Sequence, residues 1–478
     1  MLLLIVLSVA AALIAGLVVK AVLDRSHSER RITRIELLIG MGIISLVVAP
    51  LTSWAGWSIA KKNLLSFRQY RNGWEKEAVE EVLNCSRDGP CIHEYDCDPY
   101  RCEPHECKCV CISRDQAGNC TSQSCDTCWN TCYHDCPYAT REFTYTVRTT
   151  IGEYTIGAHH FAAFPIEWRA GSGLPEDVPR GAPQFWLQAE ARIDAGSPGP
   201  ATKRVRYDNY ILASERTILK QYSSMIEDYR NGNLLPPIAH RVREFYYADK
   251  VSFVGFSPRD EEAWQQALMY LNAALGSELE GDLHLVIVQD ATVSSNPDAY
   301  ILALKAYWQD SSVWGDDCLS KNAIVAVLGT RDGQTVSWAR AETGMPLGNE
   351  HMRMAIRSGL EGIELTPQAV LGDVRGELYT REKDGTLQVR SLGRGGVLWT
   401  ILWGLADPAT RFVQTSMTGD DPGSVGGGFL YLNSEVQPRA GQKVGILVMT
   451  FFLSCFVWVV FAFAGETRRR RRGARTHV

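Results

Sequence analysis

The chain has 478 residues, 45% apolar and 22% charged, enough for roughly three domains and a sizeable core. Its 49 Lys and Arg stand against 54 Asp and Glu, a net charge of −5, unlike a nucleic-acid binder or a disordered polyelectrolyte. The charge is uneven: positions 1–61 hold six basic and three acidic residues, the tail after Gly465 holds six and one, and the middle holds 37 and 50.

Three uncharged stretches come first and last. Met1 to Val19 carries no charge and continues past Lys20 to Leu23; Leu37 to Ala60 and Val444 to Ala464 follow. Each has about the 20 residues that cross hydrocarbon as a helix. The first lacks a basic n-region, which favours an anchor over a cleaved signal peptide. Arg25, Arg30, Arg31 and Arg34 lie between the first two, and Arg468, Arg469, Arg470, Arg471 and Arg472 abut the third. Basic flanks of this kind face the cytoplasm and meet lipid headgroups, so the five arginines read as a membrane-surface run rather than a nucleic-acid patch. Three spans then place residues 61–443 outside the cytoplasm and the C-terminal tail inside. Lys61, Lys62, Arg68 and Arg71 stand against this rule, just outside the second span.

The chain divides accordingly. Span one covers 1–23, a basic cytoplasmic link 24–36, span two 37–60 and a juxtamembrane helix 61–84. A Cys-rich module at 85–136 precedes a β-rich and helical linker domain at 137–237 and an α/β/α domain with a C-terminal extension at 238–442. Span three covers 444–464 and the basic tail 465–478.

The module holds Cys85, Cys91, Cys97, Cys102, Cys107, Cys109, Cys111, Cys120, Cys125, Cys128, Cys132 and Cys136. With few long aliphatic residues beside them it cannot bury enough apolar area unaided and needs covalent or metal staples. An even count on the outer side points to disulfides. The alternative is Zn2+, since Cys125-x-x-Cys128 has ligand spacing with His93, His105 and His134 nearby. Asn84 and Asn119 open glycosylation sequons, relevant only in a secretory pathway. Cys318 and Cys455 stand apart, the latter inside the third span.

Further on, Phe143, Tyr145 and Val147 alternate with Thr144, Thr146 and Arg148, the period of a strand. Helices are expected at 184–195, after Pro183, and at about 218–230, before Asn231-Gly232. His159-His160 lack a third nearby ligand. From 249 to 379 the order is clearest. Trp264, Leu268, Leu271 and Leu275 repeat at helical spacing; Leu283 to Val288 is an apolar strand. A helix follows Pro297, and Ala323 to Leu328 is a buried strand parallel to the first, joined by a right-handed crossover. Thr330 to Gly333 turns into a return strand, Thr335 to Glu342, which makes the sheet mixed. Helices after Asn349 and after Thr366-Pro367 cover its faces. Val397 to Leu405, with Trp399 and Trp403, is too short to span a membrane.

Three segments here, His284 to Gln289, Ala299 to Trp308 and Lys321 to Glu350, resemble the TPM domain family over about residues 249–380. The resemblance implies an extracytoplasmic α/β/α sandwich held by a terminal helix followed by basic residues, with a phosphatase-like or accessory role. The chain departs from the family where Trp314-Gly315 is followed by Asp316-Asp317-Cys318, and in the loop Thr343 to Gly348, which has no aromatic residue.

The expected fold is thus a multidomain α+β and α/β membrane protein: three transmembrane helices, a disulfide-rich small module and an α/β/α sandwich with a mixed sheet. Two functions of different classes fit. The first is a non-catalytic structural or protein-interaction protein whose partners are the lipid bilayer and another membrane or envelope protein. The second is a metal-dependent phosphatase-like hydrolase using Asp316, Asp317, Glu342 and Glu350 on Ca2+ or Mg2+, oxygen ligands suiting hard cations. Asp420-Asp421 form a second acidic pair, and Gly426 to Gly428 lacks the Lys-Ser/Thr of a phosphate loop. A zinc-binding Cys-rich module is a further alternative. The hydrolase requires its carboxylates in one pocket; the interaction protein requires an exposed apolar or aromatic patch.

Overall fold

The computed structural model describes residues 1–26, 34–83, 91–115, 120–156, 162–167, 182–214, 222, 224–238, 242–243, 247–381, 387–419 and 428–475. Helix α1 (Leu2–Ser26) is followed by α2 (Arg34–Ile43), which passes through a π-helical turn, Ile44–Val48, into α3 (Ala49–Leu65). Pro50 sits in the first turn of α3 and has no N–H to return to the preceding turn; the wider π turn takes up that break. Three stretches, Leu2–Leu23, Leu37–Leu65 and Ala440–Val460, are long and apolar enough to cross a membrane.

These helices pack through small residues. Leu4, Ala60 and Ile446 cluster at one end, and Ala12, Val19, Ile44, Ala49 and Trp458 further along. The first and third stretches therefore run the same way and the second runs against them. That geometry brings Arg25, Arg34 and residues 468–472 to one end and the body of the chain to the other. Trp458 is slotted against Gly16 and Gly40, where an added Cβ would lie 2.7 and 2.4 Å from its ring system. Thr52 and Thr450 hydroxyls meet at 3.1 Å.

The helix expected over 61–84 ends at Leu65. There the chain becomes strand β1 (Ser66–Leu83), because Phe67, Tyr70 and Trp74 are wanted in packed layers and suit a strand. Its neighbours are β2 (Cys91–Arg114), β3 (Cys120–Thr149), β4 (Gly152–Ile156), β5 (Ala162–Glu167), and, beyond helix α4 (Gln184–Asp194), β6 (Pro200–Asp208). The sheet order is β2-β3-β1-β6, all antiparallel. The inner half of β1 pairs with β6 (Ser66 with Asp208 to Trp74 with Pro200), and its outer half pairs with β3 (Glu75 with Thr149 to Leu83 with Glu142). Since β3 runs unbroken across residue 136, the Cys-rich module and the following domain are not separate bodies: the module is the far end of this ribbon.

The second sheet has order β10-β9-β8-β7, from β7 (Val251–Val254), β8 (Asp282–Val288), β9 (Ala323–Gly329) and β10 (Trp338–Thr343). β7, β8 and β9 are parallel and β10 is antiparallel, the mixed sheet expected. Helix α5 (Glu261–Leu279) covers the face carrying Leu283, Leu285 and Ile287, together with α7 (Glu350–Gly359) and α8 (Val397–Leu402). Helix α6 (Pro297–Trp308) covers the face carrying Val286 and Val288. Both parallel crossovers step the same way across the sheet but lie on opposite faces. One of the two is therefore left-handed, an exception to a rule obeyed in about 98% of such units. The return strand starts at Trp338 rather than Thr335 because the Asp332 carboxylate takes the N–H groups of Gln334 (2.8 Å) and Thr335 (2.9 Å). A further hairpin, β11 (Gly372–Arg381) and β12 (Leu387–Gly395), precedes α8, and α9 (Ala440–Arg475) closes the chain. Residues 468–472 continue that helix.

Candidate functional site

The four carboxylates suggested for a metal site do not converge. Asp316 and Asp317 stand in a short turn after Gly315, whose φ of +64° lets the chain reverse. Strand pairing sets Arg68 directly opposite Arg206, and such like-charge pairs repel. The two aspartates answer them. Arg68 reaches Asp316 at 3.2 Å and Asp317 at 3.1 Å, Arg204 reaches Asp317 at 3.6 Å, and Arg206 reaches Asp316 at 3.8 Å. Carboxylates so neutralised are poor ligands for Ca2+ or Mg2+.

Glu342 lies elsewhere, in a cleft of about 410 Å³ shared with Glu350, Asp298, Arg340, Arg353 and Arg357. It accepts from the buried Lys305 at 2.8 Å and from Arg353. Burial holds the Lys305 ammonium below its usual range, and Glu342 opposes that shift. Glu350 accepts from the Gly348 N–H at 2.9 Å. The metal reading of Asp316, Asp317, Glu342 and Glu350 is thus corrected: one ion-pair set holds Asp316 and Asp317, a separate one holds Glu342, and Glu350 accepts a backbone N–H.

The zinc reading of Cys125-x-x-Cys128 is corrected as well. Alternation along β3 sends these sulfurs to different partners across the hairpin: Cys102 pairs with Cys132, Cys107 with Cys128, Cys109 with Cys125 and Cys111 with Cys120. Among the described residues, Glu106, Cys109 and Cys125 come within ligand distance of one another, but the disulfide leaves only the carboxylate to bind. Cys91, Cys97 and Cys136 lie on the same two strands. Asn84, Cys85, Asn119, His159, His160, Asp420 and Asp421 lie outside the described residues. Cys318 is buried, and burial, followed by Asp310, Asp317 and Asp316, pushes its thiol up to about 12, unfit for a nucleophile.

The hairpin of β2 and β3 has a repeating construction. Cys97, Cys102 and Cys107 are spaced by five on β2, whereas Cys128, Cys132 and Cys136 are spaced by four on β3. An odd step would flip every other cysteine to the opposite face. The register instead shifts between Cys97 and Tyr100, Cys102 and Pro104, and Cys107 and Val110. At each shift the residue after the cysteine, Asp98, Glu103 or Lys108, takes a positive φ of 42 to 48°. One bulge per interval restores the face. On β3, Trp129 and Tyr133 alternate with Cys128 and Cys132 and so point the other way. They are 48% and 51% exposed, and Val110 and Ile112 near the tip are both 68% exposed. None of these residues belongs to any hydrophobic cluster of the body.

Sequence reasoning passed over these aromatic residues, although apolar side chains in a segment without a core are a signal of exposure. It also passed over a buried polar junction between the two sheets. Asp282 pairs with Lys250, contacts His284 Nε2 at 3.2 Å and accepts from Asn72 of β1 at 2.8 Å. Lys250 lies over the Tyr70 ring at 4.2 Å. Burial pushes the Asp282 carboxyl up, but Lys250 and His284 outweigh it and hold it below the usual carboxylate range. Burial lowers Lys250 and His284. Fully enclosed, the junction ties sheets together and offers no surface to a substrate.

A scan against protein-family models, a search of curated proteins and a search of solved structures each return no match for this chain.

Proposed function

We propose that the chain is a membrane-anchored interaction protein that holds a disulfide-braced hairpin arm out to a partner, another membrane or envelope protein. The arm carries this reading. It is the hairpin of β2 and the outer part of β3, cross-linked at four places among the described residues, with Trp129, Tyr133, Val110 and Ile112 left to solvent and outside the core clusters. Exposed aromatic residues on a rigid frame bury large area on binding at little cost in conformational entropy. At about 3.3 Å per residue, the 24 residues of β2 give an arm of at most about 80 Å.

The arm and body face the outside in this reading, and the tail faces the cytoplasm. In support, Arg25, Arg34 and residues 468–472 share one end of the helical bundle, and disulfides persist on oxidising sides of membranes. In this reading the α/β/α body, whose residues 249–380 resemble the TPM domain family, is a scaffold that fixes the base of the arm.

A photo-reactive amino acid at position 129, with a second at the body position Val313 as control, tests the proposal in intact cells. A discrete adduct from position 129 alone, lost on Tyr133→Ser, is expected. Equal labelling from both positions would remove the arm as the binding element.

A further inference from the structure

A cavity of about 400 Å³ opens where the body meets the helical bundle. Its polar lining includes Asn63 at the end of α3, Gln437 and Arg439 just before α9, Gln442 in its first turn, and Asp316 of the body. The apolar stretches stop at Leu65 and begin at Ala440. The cavity is therefore at headgroup depth in any bilayer these helices cross.

Its charged lining is one cation, Arg439, and one carboxylate, Asp316, whose Oδ2 is held by Arg68 and Arg206 and so is neutralised rather than offered. The Arg439 guanidinium has no ion pair among the described residues. Its backbone N–H donates to Gln442 Oε1 at 2.9 Å, which turns the Gln442 amide nitrogen away as a further donor. Close by in sequence to the lining residues Asn63 and Gln442, Lys61 donates to the Asn433 carbonyl at 2.6 Å and Lys443 lies 5.8 Å from the Trp57 ring centre.

We propose that this cavity binds the phosphodiester headgroup of an anionic phospholipid, with Arg439 as its cation and the Asn63, Gln437 and Gln442 amides as donors. Of the basic residues that run against the charge rule outside the second span, Arg68 serves the body's aspartates and Lys61 the Asn433 carbonyl. The inference rests on the membrane anchoring proposed above.

The test uses the full chain in phosphatidylcholine nanodiscs containing added phosphatidylglycerol, added phosphatidylethanolamine or neither, with retained lipid counted by native mass spectrometry after detergent stripping. Phosphatidylglycerol is expected to be kept selectively, and Arg439→Gln to reduce its retention about fivefold, the effect of one basic residue at a membrane surface. An unchanged melting temperature in Arg439→Gln shows that the loss is local; Gln442→Leu provides a second variant. Equal retention of the three lipids, or full retention by Arg439→Gln, overturns the proposal. So does protection by soluble glycerol phosphate equal to that by the lipid, which would identify a site for free phosphate esters. Carbonate extraction of the wild-type chain separates the two levels: release from membranes sinks the anchoring itself, whereas retention with no lipid preference sinks only the headgroup site.

Discussion

Lys250 and Asp282 form an ion pair in which neither side chain keeps any solvent exposure. Asp282→Asn would leave an ammonium buried without a counter-charge, at an expected cost of about 3–5 kcal/mol. Denaturant unfolding of the detergent-solubilised chain measures this. Lys250→Met combined with Asp282→Leu should recover most of the loss, because no isolated charge then remains. A single substitution that unfolds at the wild-type midpoint would show that water reaches the pair.

Beside it, His284 gives the junction a pH dependence of definite sign. Its folded-state affinity for a proton is lowered by burial. Below about pH 6.5 the unfolded chain therefore binds a proton that the folded chain refuses, and stability falls on acidification. The lowered Asp282 carboxyl acts in the same direction, at pH values below the ordinary carboxylate range. Melting temperatures between about pH 5 and 8 should slope downward toward acid, and His284→Gln should flatten that slope. A parallel slope in the variant would assign it to other groups.

The slot around Trp458 should be intolerant of bulk. Gly40→Leu puts atoms where the indole ring lies, and overpacking of this kind costs about 1–3 kcal/mol. Trp458→Ala in the same chain should relieve the clash. Thermal melting in detergent compares the single and double variants; additive losses in the pair would mean that the two residues do not touch.

Removing one rung of the arm should leave the body alone. Cys107→Ser with Cys128→Ser is expected to keep the melting temperature of the body, since the rung joins no core cluster, while limited proteolysis cuts the arm sooner. A lower melting temperature with an intact arm would reverse that division.

Ca2+ or Mg2+ should not raise the melting temperature, because Asp316, Asp317 and Glu342 already face Arg68, Arg204, Arg206, Lys305 and Arg353, which leaves Glu350 as a lone ligand. A rise that Asp316→Asn abolishes would restore the metal reading.

Much of the α/β/α body was legible beforehand, because local signals agreed there. Asn296 accepts from Ala299 N–H ahead of Pro297 and opens α6 where the sequence places a helix start. The unbroken apolar runs of β8 and β9 show burial on both faces. β1 was misread because its strand state depends on partners far away: Trp74 enters the core beside α5, and Arg68 is fixed by residues more than a hundred positions on. Acidic residues in turns resemble ligands in sequence, which does not display the arginines that strand pairing gathers beside them. The arm's regularity was present in the spacing of its cysteines, five against four, but only the bulges give that inequality a meaning.

That inequality makes the hairpin modular. Nine residues, five inserted in one strand and four in the other, complete a unit that returns the next cysteine pair to its original face. Such an insertion would lengthen the arm without rotating its aromatic residues onto the sulfur side and without touching the body. Reach can therefore change in discrete steps while orientation and anchoring stay fixed, much as rungs are added to a ladder whose feet do not move.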